Sequence, residues 1–152
     1  MEKFRQILYD FGDLVAEELY IDDQGVCRLF LNEKFPLQLE LDQSEEMLIM
    51  ISSIAEVPPG KFREQVMKEA MKENELMRGK DGVLGYVLQR NMLTFHYQYP
   101  LEQVTGTFLA DLLETLIPKI EAWYDALARG SAGPNPQTPI PKDKPPQFTP
   151  KM

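Results

Sequence analysis

Apolar residues at Phe4, Ile7, Leu8, Phe11, Leu14 and Val15 recur every three or four positions, so the pattern predicts an amphipathic helix over residues 2–19. The stretch DDQG at 22–25 then supplies turn chemistry: carboxylates that bond local backbone, and a glycine free to take positive φ. Three short apolar runs follow, VCRLFL (26–31), PLQLELD (36–42) and EMLIMISSI (46–54), with polar links between them. The second alternates cleanly, with Leu37, Leu39 and Leu41 on one face and Gln38, Glu40 and Asp42 on the other, which predicts an antiparallel meander with one wet side. The third departs from this. Met47, Ile49 and Ile51 fall on one face while Leu48, Met50 and Ile54 fall on the other, so something beyond the core must cover its second side.

After VPPGKF the helical period returns over 60–77, a segment carrying methionines at Met67, Met71 and Met77. Residues 83–88 and 92–99 then read as a hairpin turning around Arg90 and Asn91. A long helix is expected over 101–128, stopped by Gly130. Pro118 inside it lacks a backbone donor and predicts a kink or break near 114–117. From Arg129 the apolar period ends, and 7 of the 12 prolines crowd into the last residues. The expected organisation is one α+β domain over 1–128 and a disordered proline-rich tail over 129–152.

Charge narrows the partners. The chain of 152 residues has a net charge of -8, and residues 1–128 hold 12 basic against 23 acidic side chains, which leaves the tail at +3. No basic stripe exists to meet phosphates, so a nucleic-acid partner is not expected. No apolar run reaches the roughly 18 residues of a membrane span, and MEKFRQILYDFG is too charged for a signal peptide; neither membrane insertion nor export is expected. The single cysteine, Cys27, allows no disulfide framework and fits a reducing cytosol.

No residues stand at catalytic spacing. His96 lies in LTFHYQY, on the face opposite Phe95 and Tyr97, with no partner at catalytic spacing, and Cys27 reads as a buried structural thiol. DDQG lacks the spaced oxygen ligands of a calcium loop, and PPGKF lacks the glycine spacing of a phosphate loop. The expectation is therefore a protein that is not an enzyme and holds neither cofactor nor metal. Met67, Met71 and Met77 read either as core filler or as an adaptable contact surface.

The order of helix, three strands, helix, two strands and long helix resembles the class I type III secretion chaperones, the Tir-chaperone-like family that holds bacterial effectors before export. The likeness is carried by GVLGYVLQRNMLTFHYQYPLEQVTGTFLADLLETLIPKIEAWYDAL (82–127), including its late Trp123, and by CRLFL and PLQLELD. The tail prolines lie outside it, and Pro118 departs from an uninterrupted last helix. The resemblance implies a cytoplasmic homodimer, bound to an extended segment near the amino terminus of secreted effectors and handed on to the secretion apparatus ATPase. It extends to members serving several cargoes, which adaptable methionines would suit. It implies a dimer contact at Met67, Met71, Val83, Leu84, Tyr86 and Leu88, and cargo patches at Ile7, Phe11, Phe30, Leu48, Met50 and Met92. The competing expectation is a homodimeric adaptor that binds partners through PIPKDKPP in the tail.

Overall fold

The structure is a computed structural model that describes residues 1–77, 82–134 and 146–151. The first helix, α1 (Glu2–Val15), is shorter than the periodicity predicts. Ala16 turns left-handed at φ 58, and the Glu17 amide bonds back to the Gly12 carbonyl at 2.9 Å. Gly12 makes this reversal possible, since a Cβ there would lie 2.5 Å from the Glu17 carbonyl oxygen. Instead of continuing as helix to residue 19, the chain runs back and brings Leu19 and Ile21 against the core.

The meander follows as β1 (Cys27–Leu31), β2 (Phe35–Leu41) and β3 (Met47–Glu56). Asp42 fixes the second turn: its Oδ1 accepts from the Glu46 and Met47 amides, each at 3.0 Å. Next come α2 (Lys61–Met77), β4 (Val83–Val87) and β5 (Met92–Pro100), the last two joined by a single 3-10 turn and by Asn91 at φ 52. The last helix, α3 (Gly106–Ala128), starts five residues later than the sequence suggests. Leu101–Gln103 form a separate 3-10 turn, and the Thr105 hydroxyl caps the helix by accepting from the Phe108 amide at 3.0 Å. Of the kink or break expected near Pro118, the break is absent: α3 runs through it as one helix.

A further strand, β6 (Phe148–Pro150), pairs with β1. The tail reading over 129–152 is therefore corrected at its end, because Phe148 is buried there against Phe11; residues 135–145 and 152 lie outside the described residues. The sheet order is β4-β5-β3-β2-β1-β6, with every pair antiparallel.

Alternation fixes the two faces of this sheet. Leu29, Leu37, Leu39, Leu48, Met50, Ile54, Leu84, Leu93 and Phe95 point inward, and they share one cluster with the buried faces of all three helices. Gly106 lets α3 cross close to α1: a Cβ there would stand 2.7 Å from both the Asp10 Cβ and the Phe11 nitrogen. Phe30, Ile49, Ile51, Val83, Val87 and Met92 point to the other side and take no part in that cluster.

Candidate binding surfaces

At one end of the sheet Asn74 ties α2 to the edge strand β4. Its Oδ1 accepts from the Leu84 amide at 2.8 Å and its Nδ2 donates to the Leu84 carbonyl at 3.0 Å, which satisfies edge backbone that would otherwise recruit another chain. The Tyr86 hydroxyl donates to the Val57 carbonyl at 2.6 Å, and the Arg63 guanidinium stands 5.6 Å from the Tyr86 ring. Around this fixed frame Met71, Leu76 and Leu88 are 71, 80 and 69 % exposed, and Val83 is 44 % exposed. Apolar side chains held out on rigid elements are a ready contact surface.

The outward face of the sheet is the second surface. Ile51 lies between Gln38 and His96, Ile49 between Glu40 and Gln98, and Phe30 beside Pro36, so half-buried apolar groups alternate with polar ones. His96 belongs to this face. Its Nε2 is 2.6 Å from the Thr94 hydroxyl, and its ring fills the space a Gly85 side chain would need. Burial holds the imidazole below its ordinary value, so it is neutral at pH 7.

The third surface is a groove of about 590 Å³ between α1 and the returning chain, lined by Arg5, Tyr9, Asp13, Glu17, Leu19 and Tyr20. Tyr9 and Tyr20 are mostly exposed, as is Leu14 on the same helix. A hydrogen bond to Glu18 raises the Tyr20 phenol, which stays protonated at neutral pH. Amphipathic rings and acidic rims suit an extended peptide better than a small molecule.

Reactive chemistry is sparse. Among the described residues no three His, Cys, Asp or Glu side chains gather in a metal-binding group. Cys27 is buried, and desolvation pushes its thiol up to about 11, so it is protonated and unreactive at neutral pH. No helix among the described residues is long and apolar enough to cross a membrane.

The sequence-predicted residues divide between these surfaces and the interior. Ile7, Phe11, Leu48 and Met50 are at most 4 % exposed, so these four are withdrawn as cargo contacts: each is consumed by the core of its own chain. Phe30 and Met92 remain on the outward face. Of the dimer set, Met71, Val83 and Leu88 are exposed, whereas Leu84 is buried and Met67 and Tyr86 pack partly against the core. Periodicity alone passed over Leu76, Tyr9 and Tyr20, while Ile49 and Ile51, flagged as surplus apolar surface, were absent from the expected cargo contacts. For Tyr9 a signal was there to read: an aromatic residue on α1 outside the buried Phe4, Ile7, Leu8 and Phe11 stripe.

A model of a known protein family, described as the Tir chaperone protein (CesT) family, matches residues 6–124. The chain belongs to the CesT family. Comparison with curated proteins gave no match. Among solved structures, a chain of the HopA1–SchA chaperone–effector complex is similar at 22 % identity and a TM-score of 0.67, covering 82 % of this chain and 94 % of that one. A chain of the ExsC–ExsE complex is similar at 18 % identity and a TM-score of 0.71, covering 83 % and 94 %. The Yersinia pestis type III secretion chaperone SycH, solved with a stable fragment of YscM2, is similar at 14 % identity and a TM-score of 0.61, covering 76 % and 94 %. These likenesses share with this chain its α+β architecture of helices on an antiparallel sheet.

Proposed function

We propose that this chain is a cytoplasmic type III secretion chaperone that binds an extended segment of secreted effectors and keeps them fit for export. The observation that carries this reading is apolar surface left over on a CesT-family chain: the outward sheet face and the α1 groove both lie outside what its core consumes. The mechanism is burial rather than catalysis. An extended segment laid over Phe30, Ile49, Ile51 and Met92, or along Tyr9 and Tyr20, removes apolar area from water at roughly 25 cal/mol per Å². Ordering that segment costs part of the gain, so the complex is specific yet releasable.

Two copies meet through the β4 edge and α2, with Met71, Leu76, Val83 and Leu88 as the apolar contacts. A two-fold pair presents each cargo surface twice, so one long segment engages both at high effective concentration. The chaperone then passes its cargo to the secretion apparatus ATPase.

The test is affinity capture from native cells with mass spectrometry of the bound proteins. Wild-type protein should recover secreted effectors, and the Ile49→Glu, Ile51→Glu double variant should lose them. Equal recovery by the variant would remove the outward face from the site, and recovery of no secreted protein by wild type would refute the chaperone reading.

A further inference from the structure

The far end of the sheet is closed by the chain itself. β6 adds to β1 with Phe148 opposite Leu31, Thr149 opposite Phe30 and Pro150 opposite Leu29. Asn32 anchors it twice: its amide donates to the Gln147 carbonyl at 2.6 Å, and its Oδ1 accepts from the Gln147 amide at 2.7 Å. Lys151 completes the ladder by donating to the Arg28 carbonyl at 3.1 Å. One side chain enters the core. Phe148 stands edge-on to Phe11, with ring centroids 5.4 Å apart. The Lys151 ammonium lies 5.7 Å from the Phe30 ring on the opposite face.

Three features mark this strand as an occupant rather than a part of the frame. It lies beyond residues 6–124, the span matched by the family. Its hold consists of main-chain bonds, one aromatic anchor and a lysine 5.7 Å from the Phe30 ring, which an extended peptide with a bulky apolar residue and a basic residue three positions later supplies equally well. An open groove of about 470 Å³ continues from Phe148 past Leu14, Val15 and Glu33, leaving room for a longer strand. Pro150 also fits an end piece: with Thr149 and Lys151 facing β1, its missing donor falls on the outer side, where it blunts further strand addition.

We infer that the β1 edge and the hollow holding Phe148 form a docking site for an extended effector segment, and that the chain's own C-terminal strand occupies this site until such a segment displaces it. This rests on the chaperone reading for the partner's identity. A tethered strand is present at high effective concentration, so it lowers the apparent affinity of every competitor by the fraction of time it is bound. Weak segments are then rejected and long, well-matched ones accepted. The tail's net charge of +3 against an acidic body favours the closed state at low salt.

The test uses the full chain and a fluorescein-labelled peptide of residues 143–152, read by anisotropy. Phe148→Ala should bind this peptide at least about tenfold more tightly than wild type, whose own strand competes, a difference of about 1.4 kcal/mol. Thr149→Pro, which removes a donor facing β1 while leaving the core alone, should behave alike; it keeps the test valid should Phe148→Ala fold poorly. Equal binding by wild type and both variants overturns the proposal. So does a crosslinked wild-type oligomer that Phe148→Ala abolishes, because the strand would then be exchanged between copies. Effector capture separates the two readings. Secreted proteins bound equally by wild type and Phe148→Ala leave the chaperone standing and sink the displaceable strand; secreted proteins bound by neither, with the peptide result intact, do the reverse.

Discussion

Leu88→Asp puts a number on the proposed pairing of two copies. Leu88 sits in the turn between β4 and β5, is 69 % exposed, and makes no contribution to the buried cluster, so its replacement should leave the protomer folded. Fully burying a leucine contributes about 2 kcal/mol, and scaling by the exposed fraction leaves about 1.4 kcal/mol to be gained on association. A two-fold interface counts each substitution twice, which brings the loss to about 3 kcal/mol, or roughly a hundredfold in the dissociation constant. Two desolvated aspartates would add to it. Sedimentation equilibrium over a range of concentrations measures this directly, with Tyr9→Asp on α1 as a control that should leave association unchanged. A shift of less than about threefold for Leu88→Asp would refute the assignment of this edge to the dimer, because a two-fold pair centred on β4 and α2 buries Leu88 of both copies.

Three further outcomes concern the stability of the protomer. Gly106→Ala should destabilise the protomer by about 2 kcal/mol in urea unfolding, since the new methyl meets the α1 backbone at Phe11 and neither helix can yield without disturbing the core. Ser52 presents a buried hydroxyl that has no partner among the described residues, so Ser52→Ala should be neutral or more stable by up to about 1 kcal/mol in the same assay. Acid should weaken the fold in two stages. His96 is held below its ordinary value of 6.5 by burial, so the unfolded chain takes up its proton first and stability falls as pH drops through that value; His96→Gln should flatten the urea midpoint between pH 7.5 and 5.5. Asp42 is lowered, chiefly by the Met47 amide, so its contribution is complete above the ordinary 3.8 and disappears as pH falls through the lower folded value, a loss that Asp42→Asn should abolish.

Much of the fold was legible because the period of each segment agreed with its neighbours. PLQLELD alternates over a wet face, and it became the strand with Leu37 and Leu39 inward and Gln38 and Glu40 outward. The double-sided EMLIMISSI announced its surplus in advance, and Ile49 and Ile51 do lie outside the cluster that takes up Leu48 and Met50. Boundaries failed where a single residue's conformation decided them. Ala16 in the left-handed region ends α1 early, a choice made by the close Gly12–Glu17 approach and invisible to hydrophobic spacing. Thr105 as the cap moves the start of α3, while Pro118 is accommodated inside it. The candidate site was read least well. A resemblance gives which elements bind, but which side chains remain exposed depends on register and on long-range pairing, and a three-residue strand from a proline-rich tail has no local signal that it will join β1. Phe11 shows the consequence: its place on α1 was predicted, yet part of its cover comes from Phe148, far away in the sequence.

If this CesT-family chain holds effectors for export, its loss must show in the proteins that cells release. Quantitative proteomics of culture medium should be compared for cells lacking the protein and for the same cells supplied with wild type or with Ile49→Glu, Ile51→Glu. A defined set of type III secreted proteins should disappear from the medium, return with wild type and stay absent with the double variant. An unchanged set of secreted proteins in cells lacking the chain would contradict it.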